Sequence, residues 1–161
     1  MGVCRADDLI VVSVHWGPNW GYEIPEPQRR FAHALIDRAN VSVVQGHSSH
    51  HPKAIEVYRD RLVLYGCGDF LNDYEGISGY EEFRDDLALM YFADLAPEGT
   101  LTALELVPLQ IRNFRLVYPG QDDSRWMQRT LDRECGKFGA GVETIPDGRL
   151  TLSWKAAPQT R

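Results

Sequence analysis

Cysteine is scarce in this 161-residue sequence, and its few copies show no pattern. Cys4, Cys67 and Cys135 are far apart, odd in number and without C-x-x-C spacing. That arrangement excludes a disulfide framework and the common paired-cysteine zinc motifs. We therefore interpret the three thiols as incidental or buried side chains.

Long apolar runs are also missing. No stretch approaches the roughly 18 consecutive apolar residues of a membrane-spanning helix. Residues 1–8 lack the basic and apolar regions of a secretory signal peptide. As written, the sequence predicts a cytoplasmic protein, an expectation that depends on Met1 being the true start.

Basic residues are fewer than acidic ones, at 17 Lys and Arg against 23 Asp and Glu, for a formal net charge of −6. This balance argues against a nucleic-acid partner, which would require a basic stripe, and against an anionic membrane surface. An anionic substrate remains possible because a bound metal can invert the local charge. Hydrophobic residues make up 43% of the chain, which is enough for the core of one soluble domain.

A strand, a helix and a second strand are predicted at the start of the chain. The β-branched run Leu9–Val14 predicts a buried, parallel strand. Pro27 suits a first helical turn, and apolar residues at helical spacing predict a helix over 28–39. Val41–Val44 predicts the second strand, which completes a β-α-β unit.

The later sequence indicates antiparallel strands, one helix and a surface excursion over residues 71–85. The predicted elements are a hairpin of 54–58 with 62–65, a strand pair of 87–95 with 101–109, a helix over 123–137, a turn at 146–149 and a last strand over 150–154. Together these elements predict an α/β protein with a mixed sheet and antiparallel strands in its second half.

A histidine-rich segment, Gly46–Pro52, follows the second predicted strand, and His15 follows the first. Because ligands collect at the carboxyl ends of parallel strands, His15, His47 and His50 are predicted to meet at one sheet edge. Imidazole is a frequent metal ligand, and Ser48 and Ser49 could donate to phosphate oxygens. The alternative is a polar surface loop with a lone loop histidine at position 15. His51 is the weakest candidate ligand of the segment, and His33 is interpreted as structural.

A third candidate segment, Gly68–Asp73, follows the predicted hairpin. Asp69 could bind a metal, shuttle protons or orient a histidine, although a turn carboxylate without chemistry is an equal alternative. Asn72 could contact a phosphate. His15, His47 and His50 are thus the candidate ligands of a divalent ion (Mn, Zn or Fe), and together with Asp69 they form the candidate catalytic set for metal-assisted hydrolysis of an anionic substrate.

At these residues the sequence resembles the CapA family, the poly-gamma-glutamate capsule synthesis proteins with a metallophosphatase-like fold. The family's usual patterns are strand-H-W-G, G-H-x-x-H and a loop similar to S-L-G-N-F. The matching segments are Val12–Gly17, Gln28–Asp37, Val44–His50, Ile55–Tyr58 and Leu64–Phe70. The resemblance implies a metal-dependent phosphoester-type hydrolase that acts on an anionic substrate or polymer, with residues 8–95 bearing the motifs and residues 96–161 forming an accessory part of one domain.

The sequence departs from the family pattern in two places. Gly68-Asp69-Phe70 replaces the family's G-N-F, so a carboxylate stands where an amide is usual. The G-D-x-M-like strand and the loops with N-L-E and N-N-H, which supply other presumed site residues, are absent. The resemblance therefore implies the C-terminal half of a metallophosphatase-like αββα sandwich. We expect such a chain to expose an apolar sheet edge and to self-associate; the rival hypotheses are a non-catalytic binding or assembly module and an inactive fragment.

Overall fold

A computed structural model describes residues 8–72 and 76–155 of the chain. Within these ranges the polypeptide forms two sheets, two α-helices and a short 3-10 turn at Glu81–Phe83. The elements in chain order are β1 (Val11–His15), α1 (Glu26–Ala39), β2 (Val43–His47), β3 (Ile55–Tyr58), β4 (Arg61–Leu64), β5 (Leu87–Leu95), β6 (Leu101–Arg112), β7 (Arg115–Val117), α2 (Gln121–Gly136), β8 (Ala140–Thr144) and β9 (Leu150–Trp154).

The first sheet is mixed and has the strand order β1-β2-β4-β3. Strands β1, β2 and β4 are parallel, and β3 is antiparallel to β4. Helix α1 connects β1 to β2, which confirms the predicted β-α-β unit. The carboxyl ends of β1 and β2 therefore lie side by side at one edge of the sheet.

Helix α1 begins and ends where its sequence favours it. A proline lies in its first turn, where the missing N–H would have no helical partner, and Glu26 there suits the positive end of the helix dipole. Asn40 adopts the left-handed conformation at the C-terminus, and its backbone N–H donates to the carbonyl of Leu35. The predicted start at residue 28 was two residues late because Pro25 and Pro27 do not reveal which of them opens the helix.

The predicted hairpin is confirmed as β3 and β4. Its two-residue loop, Arg59 and Asp60, has φ values of 49° and 59°, as a type I′ turn requires. A second turn of this kind was missed: Asn113 and Phe114, at 52° and 55°, join β6 to β7. Asn favours this left-handed conformation, whereas Phe does not. Phe114 therefore removed the local sequence pattern that would have predicted a turn.

The second sheet is antiparallel, with the order β5-β6-β9-β8 and β7 paired to β6. The predicted pair of β5 with β6, the turn at Pro146–Arg149 and the last strand are confirmed. Strand β8 was missed because Gly139 and Gly141 weaken its pattern as a strand. A register shift between Asp94 and Leu95 brings Leu101 into the core, which simple alternation along β6 did not predict.

Two apolar clusters cover the two faces of the mixed sheet. Helix α1 packs on one face, where Ala32 and Ile36 meet Val44 and Val63. On the other face, residues of β2, β3 and β4 share a cluster with α2 and the antiparallel sheet, including Leu62, Leu104 and Leu131. The layers confirm an α/β protein with a mixed parallel sheet and an antiparallel sheet. Neither helix in the described ranges has both the length and the apolar character needed to cross a membrane.

Two predictions about the first strands need correction. The run Leu9–Val14 is not buried: β1 lies at the sheet edge, and Val11 is 61% exposed. A uniformly apolar run does not distinguish a central strand from an edge strand, because both patterns are apolar. Strand β2 is also shifted from the predicted Val41–Val44 to Val43–His47, because its pairing with β1 continues through Gly46 and His47.

The exposed edge of β1 generates the first prediction. Among residues 8–72 and 76–155, β1 pairs with β2 on one side only, and the main-chain groups on its other side offer a template for edge-to-edge pairing. We expect concentration-dependent self-association in sedimentation velocity at about 100 μM, and we expect Val11→Lys to reduce it. Phe114→Lys, which removes an apolar side chain that is 60% exposed at the distant β6–β7 turn, is the matched control. Equal effects of the two substitutions would contradict a role for the β1 edge.

Candidate functional site

His15 and His47 face each other at the ends of two neighbouring strands. They are register partners, and their Nδ1 atoms lie 3.3 Å apart. The rings meet edge to face with their centroids 5.2 Å apart. Alternation along β1 places His15 on the face opposite Val12, Val14 and Trp16, which pack toward α1. The pair is therefore open to solvent at the carboxyl edge of the sheet.

Gly46 allows this edge to be compact. A Cβ at position 46 would lie 2.7 Å from the carbonyl oxygens of Leu64 and Tyr65 and would collide with the indole nitrogen of Trp16. That indole N–H donates to the Tyr65 carbonyl at 3.0 Å. This hydrogen bond connects the end of β1 to the residue that follows β4, and the indole packs directly against Gly46.

His50 forms a separate pair with Asp69. Its Nδ1 lies 3.1 Å and 3.3 Å from the two carboxylate oxygens, and the Asn72 amide donates to the same carboxylate at 3.1 Å. Because an ionised carboxylate only accepts hydrogen bonds, Nδ1 carries the proton in this arrangement. A neutral His50 ring therefore has its lone pair on Nε2, and Asp69 orients that ring.

Hydrogen bonds between loops hold the two pairs at the same edge. The Ser48 hydroxyl donates to the Gly17 carbonyl at 3.1 Å, and the His50 N–H donates to the Asn19 carbonyl at 3.1 Å. Ser48 has a φ of 126°, a strained value that lets the chain turn sharply after β2. The loop after β1 and the loop after β2 are therefore fastened together beside His47.

In this structure the two serine hydroxyls donate to backbone carbonyls of the loops. Ser48 contacts Gly17, and the buried Ser49 hydroxyl donates to the carbonyl of His51 at 2.9 Å. The Asn72 amide, the other candidate phosphate contact, donates to Asp69. Short polar side chains in a glycine-rich turn satisfy nearby backbone groups first, which the sequence pattern does not distinguish from ligand binding.

His51 is fully buried in an aromatic enclosure. Its ring stacks on Phe83 at 4.8 Å and on Trp20 at 6.1 Å, and Tyr22 meets it edge-on at 4.7 Å. Nδ1 lies 3.1 Å from the carbonyl of Pro52, while Nε2 is buried and has no hydrogen-bond partner in the part of the chain that the structure describes. Burial lowers the pKa of His51 to about 4, so the ring is neutral at pH 7.

Trp20 links this enclosure to the candidate site. Its ring centroid lies 5.2 Å from that of His50, and Tyr80 stacks on it at 4.2 Å. Tyr80 was not singled out in the sequence because nothing in its local pattern points back to Trp20. His33 is structural, as predicted: it stacks on Tyr58 and contacts the buried carboxylate of Glu56 at 3.1 Å.

The predicted site residues thus form two pairs and not one cluster. His15 contacts His47, and His50 contacts Asp69. Among residues 8–72 and 76–155, no group of three or more His, Cys, Asp or Glu side chains is arranged to hold one ion. The geometry provides two imidazole nitrogens that could share an ion and, beside them, a carboxylate-oriented imidazole.

Comparison with known proteins places this arrangement in a family. The family model described as bacterial capsule synthesis protein PGA_cap matches residues 3–74. A probable polyglutamine synthesis accessory protein of Mycobacterium tuberculosis is 46% identical over 149 residues, covering 92% of this chain and 39% of the relative. The PGA biosynthesis protein CapA of Bacillus subtilis is 30% identical over 145 residues, covering 90% of this chain and 36% of the relative.

The matched segment contains β1, α1, β2 and the strand-end histidines. The protein is therefore of the class in which a β-α-β unit presents histidines at its carboxyl edge. The chain belongs to the PGA_cap (CapA) family of bacterial capsule synthesis proteins, as its motifs predicted. It spans 39% or less of the length of these relatives.

The packing around Gly46 gives a second prediction. Gly46→Ala forces apart Trp16 and the carbonyls of Leu64 and Tyr65, and overpacking of this kind costs about 1–3 kcal/mol. Gly136→Ala is the matched control, since no atom lies within 4 Å of its added Cβ. Urea unfolding should show the loss only for Gly46→Ala; equal stability of the two variants would contradict the close contact.

The buried imidazole gives a third prediction, on pH. His51 has a folded-state pKa of about 4 against 6.5 for the ordinary group, so the unfolded chain binds more protons between these values. The stability that depends on a neutral His51 is therefore fully present above pH 6.5 and is lost as the pH falls toward 4. At pH 5 the free energy of unfolding is lower by about 2 kcal/mol. Urea unfolding at pH 7 and pH 5 measures the loss, and His51→Phe should reduce it. An unchanged pH dependence in the variant would contradict the prediction.

Proposed function

We propose that this chain supplies a two-histidine metal half-site and an adjacent proton-transfer pair of a metallophosphatase-type hydrolase. The substrate class is a phosphoester or a related anionic compound. The observation that carries the proposal is the contact of 3.3 Å between Nδ1 of His15 and Nδ1 of His47. Parallel strand pairing sets the backbone positions of both residues.

The spacing of the two histidines fits one divalent ion. Two nitrogens bound at about 2.0–2.1 Å in tetrahedral geometry lie about 3.3–3.4 Å apart, which matches the observed separation. Zn²⁺, Mn²⁺ and Fe²⁺ all accept imidazole nitrogen, so the pair does not select among them. When bound, such an ion polarises a phosphoryl oxygen and lowers the pKa of a coordinated water.

His50 and Asp69 fit the second part of the proposal. Asp69 holds the Nδ1 proton and stabilises a positive charge on the ring, so His50 can accept or donate a proton at Nε2. His50 contributes to proton transfer and Asp69 acts as its positioning residue. This assignment revises the sequence-based set, in which His50 was a third metal ligand.

The names of the relatives support a pathway for this activity. One relative is described as a probable polyglutamine synthesis accessory protein and another as a PGA biosynthesis protein. We place this chain, by its family membership, in capsule or poly-gamma-glutamate synthesis. The mixed sheet with α1 on one face fits the C-terminal half of a metallophosphatase-like sandwich.

The second candidate is a binding or assembly module without hydrolysis. It is favoured by one observation: within the described ranges the acidic residues do not join the histidine pair to complete an ion site. This candidate predicts that the His15–His47 contact is an imidazole hydrogen bond and that no metal is needed. Metal binding therefore separates the two candidates.

The fourth prediction tests the half-site directly. Titration of the metal-free chain with Co²⁺ should give visible absorption and a binding isotherm of one ion per chain, and His15→Ala/His47→Ala should abolish both. Loss of two imidazole ligands removes the site, whereas His33→Gln, which lies on α1 away from the strand ends, should bind as the unmodified chain does. Binding that survives in the double variant, or no binding in any protein, would contradict the metal half-site.

A further inference from the structure

Tyr80 makes a long-range aromatic contact beside the candidate site. It lies on the segment between β4 and β5, and its ring stacks on that of Trp20 with the centroids 4.2 Å apart and the planes 4° from parallel. Tyr80 is 39% exposed, whereas Trp20 is half-buried. Because aromatic pairs attract each other beyond the apolar area that they bury, the ring of Tyr80 restrains the indole.

The segment that carries Tyr80 is anchored at both ends. Near its start, the Ile77 N–H donates to the buried carboxylate of Asp85 at 2.5 Å. At its end, the Arg84 guanidinium bonds to Asp86 at 2.7 Å and to Asp123 of α2 at 2.8 Å. These contacts close residues 77–85 into a loop around Tyr80. The position of this residue is thus set by contacts other than its stack on the indole.

Trp20 transmits this restraint to His50. The centroid of its ring lies 5.2 Å from that of the imidazole, with an angle of 35° between the two planes. The backbone N–H of His50 also donates to the carbonyl of Asn19, the residue before Trp20, at 3.1 Å. His50 is therefore held to the loop after β1 both by its main chain and by its ring.

The carboxylate of Asp69 does not by itself fix the orientation of the His50 ring. It holds one ring atom, Nδ1, at 3.1 Å, whereas the second side-chain torsion of histidine is broad and roughly two-fold. Rotation about that torsion would take Nδ1 away from the carboxylate. A second contact is needed to limit this rotation, and the indole of Trp20 provides it.

We propose that Tyr80 is a positioning residue for His50 and acts through Trp20. Its ring restrains the indole, the indole restrains the imidazole, and Nδ1 with its proton stays on Asp69. The lone pair on Nε2 then keeps one direction, as a proton-transfer group requires. The use of this positioning rests on the proposed function, whereas the positioning itself is a property of the metal-free chain. The stack depends on the ring of Tyr80 and not on its hydroxyl.

The test is the tautomer of His50, read from long-range ¹H–¹⁵N correlation spectra of the full chain in EDTA at about pH 8.5, where ordinary imidazole is neutral. We expect the unmodified chain to hold the His50 proton on Nδ1. In Tyr80→Leu the population protonated at Nε2 should rise about threefold, as expected when an aromatic pair is lost. Tyr80→Phe keeps the stacked ring and should give the spectrum of the unmodified chain.

Tyr118→Leu is the matched control, since Tyr118 is 82% exposed and lies beyond β7. It should leave the His50 spectrum unchanged. An unchanged His50 tautomer in Tyr80→Leu would overturn the proposal. So would equal changes in Tyr80→Leu and Tyr118→Leu, or a Tyr80→Phe spectrum that resembles that of Tyr80→Leu.

Folding is checked in the same spectra. His33 contacts Glu56 and lies on α1 away from the strand ends, so its signals should be the same in every variant. If Tyr80→Leu alters them, Trp20→Phe is the second variant: its smaller ring keeps the enclosure aromatic and should raise the same His50 population. No rise in that variant would overturn the proposal. A failure of Co²⁺ to bind would contradict the metal half-site and leave these results unaffected, because EDTA is present throughout.

Discussion

Main-chain hydrogen bonds between β1 and β2 set the register in which Val11 faces Val43 and His15 faces His47. The candidate site depends on this pairing, because a shift of one residue would turn His15 to the α1 face. Gly46 and Trp16 reinforce it. The glycine admits the indole, and the indole bonds to the chain after β4. The histidine contact is thus a consequence of sheet geometry and close packing.

The two pairs at this edge differ in how they are held. Strand register holds His15 and His47, whereas loop hydrogen bonds and the Asp69 carboxylate hold His50. Such a division suits different tasks, since ligands of an ion need fixed separation and a proton-transfer group needs a defined tautomer. Trp20 stands against His50 and shields one side of it. The buried ring of His51 stacks on Trp20 behind that wall.

Local pattern predicted much of the fold but not the tertiary relations. The β-α-β unit, the hairpin and β9 were predictable because apolar periodicity and turn residues lie close together in sequence. The exposure of β1 was not, because burial depends on neighbours that a local run does not specify. Phe114 in a left-handed turn and glycines around β8 hid two further elements.

In the candidate site, too, the position of each residue at its strand end was predictable, whereas the contacts between loops were not. The sheet-edge rule brought His15 and His47 together correctly, since parallel strands end on the same side. It also placed His50 and Asp69 at this edge, but it did not predict that they would pair with each other. That contact depends on the path of the loop through Ser48, whose unusual φ has no sequence signature. Tyr80 on Trp20 is likewise a long-range contact.

The central claim is that His15 and His47 share one ion through Nδ1. Long-range ¹H–¹⁵N correlation of the imidazole rings, recorded while one equivalent of Zn²⁺ is added, tests it directly. The account predicts that the Nδ1 signals of both residues shift together while their Nε2 atoms remain protonated. Coordination through Nε2, or a shift of only one of the two rings, would contradict it.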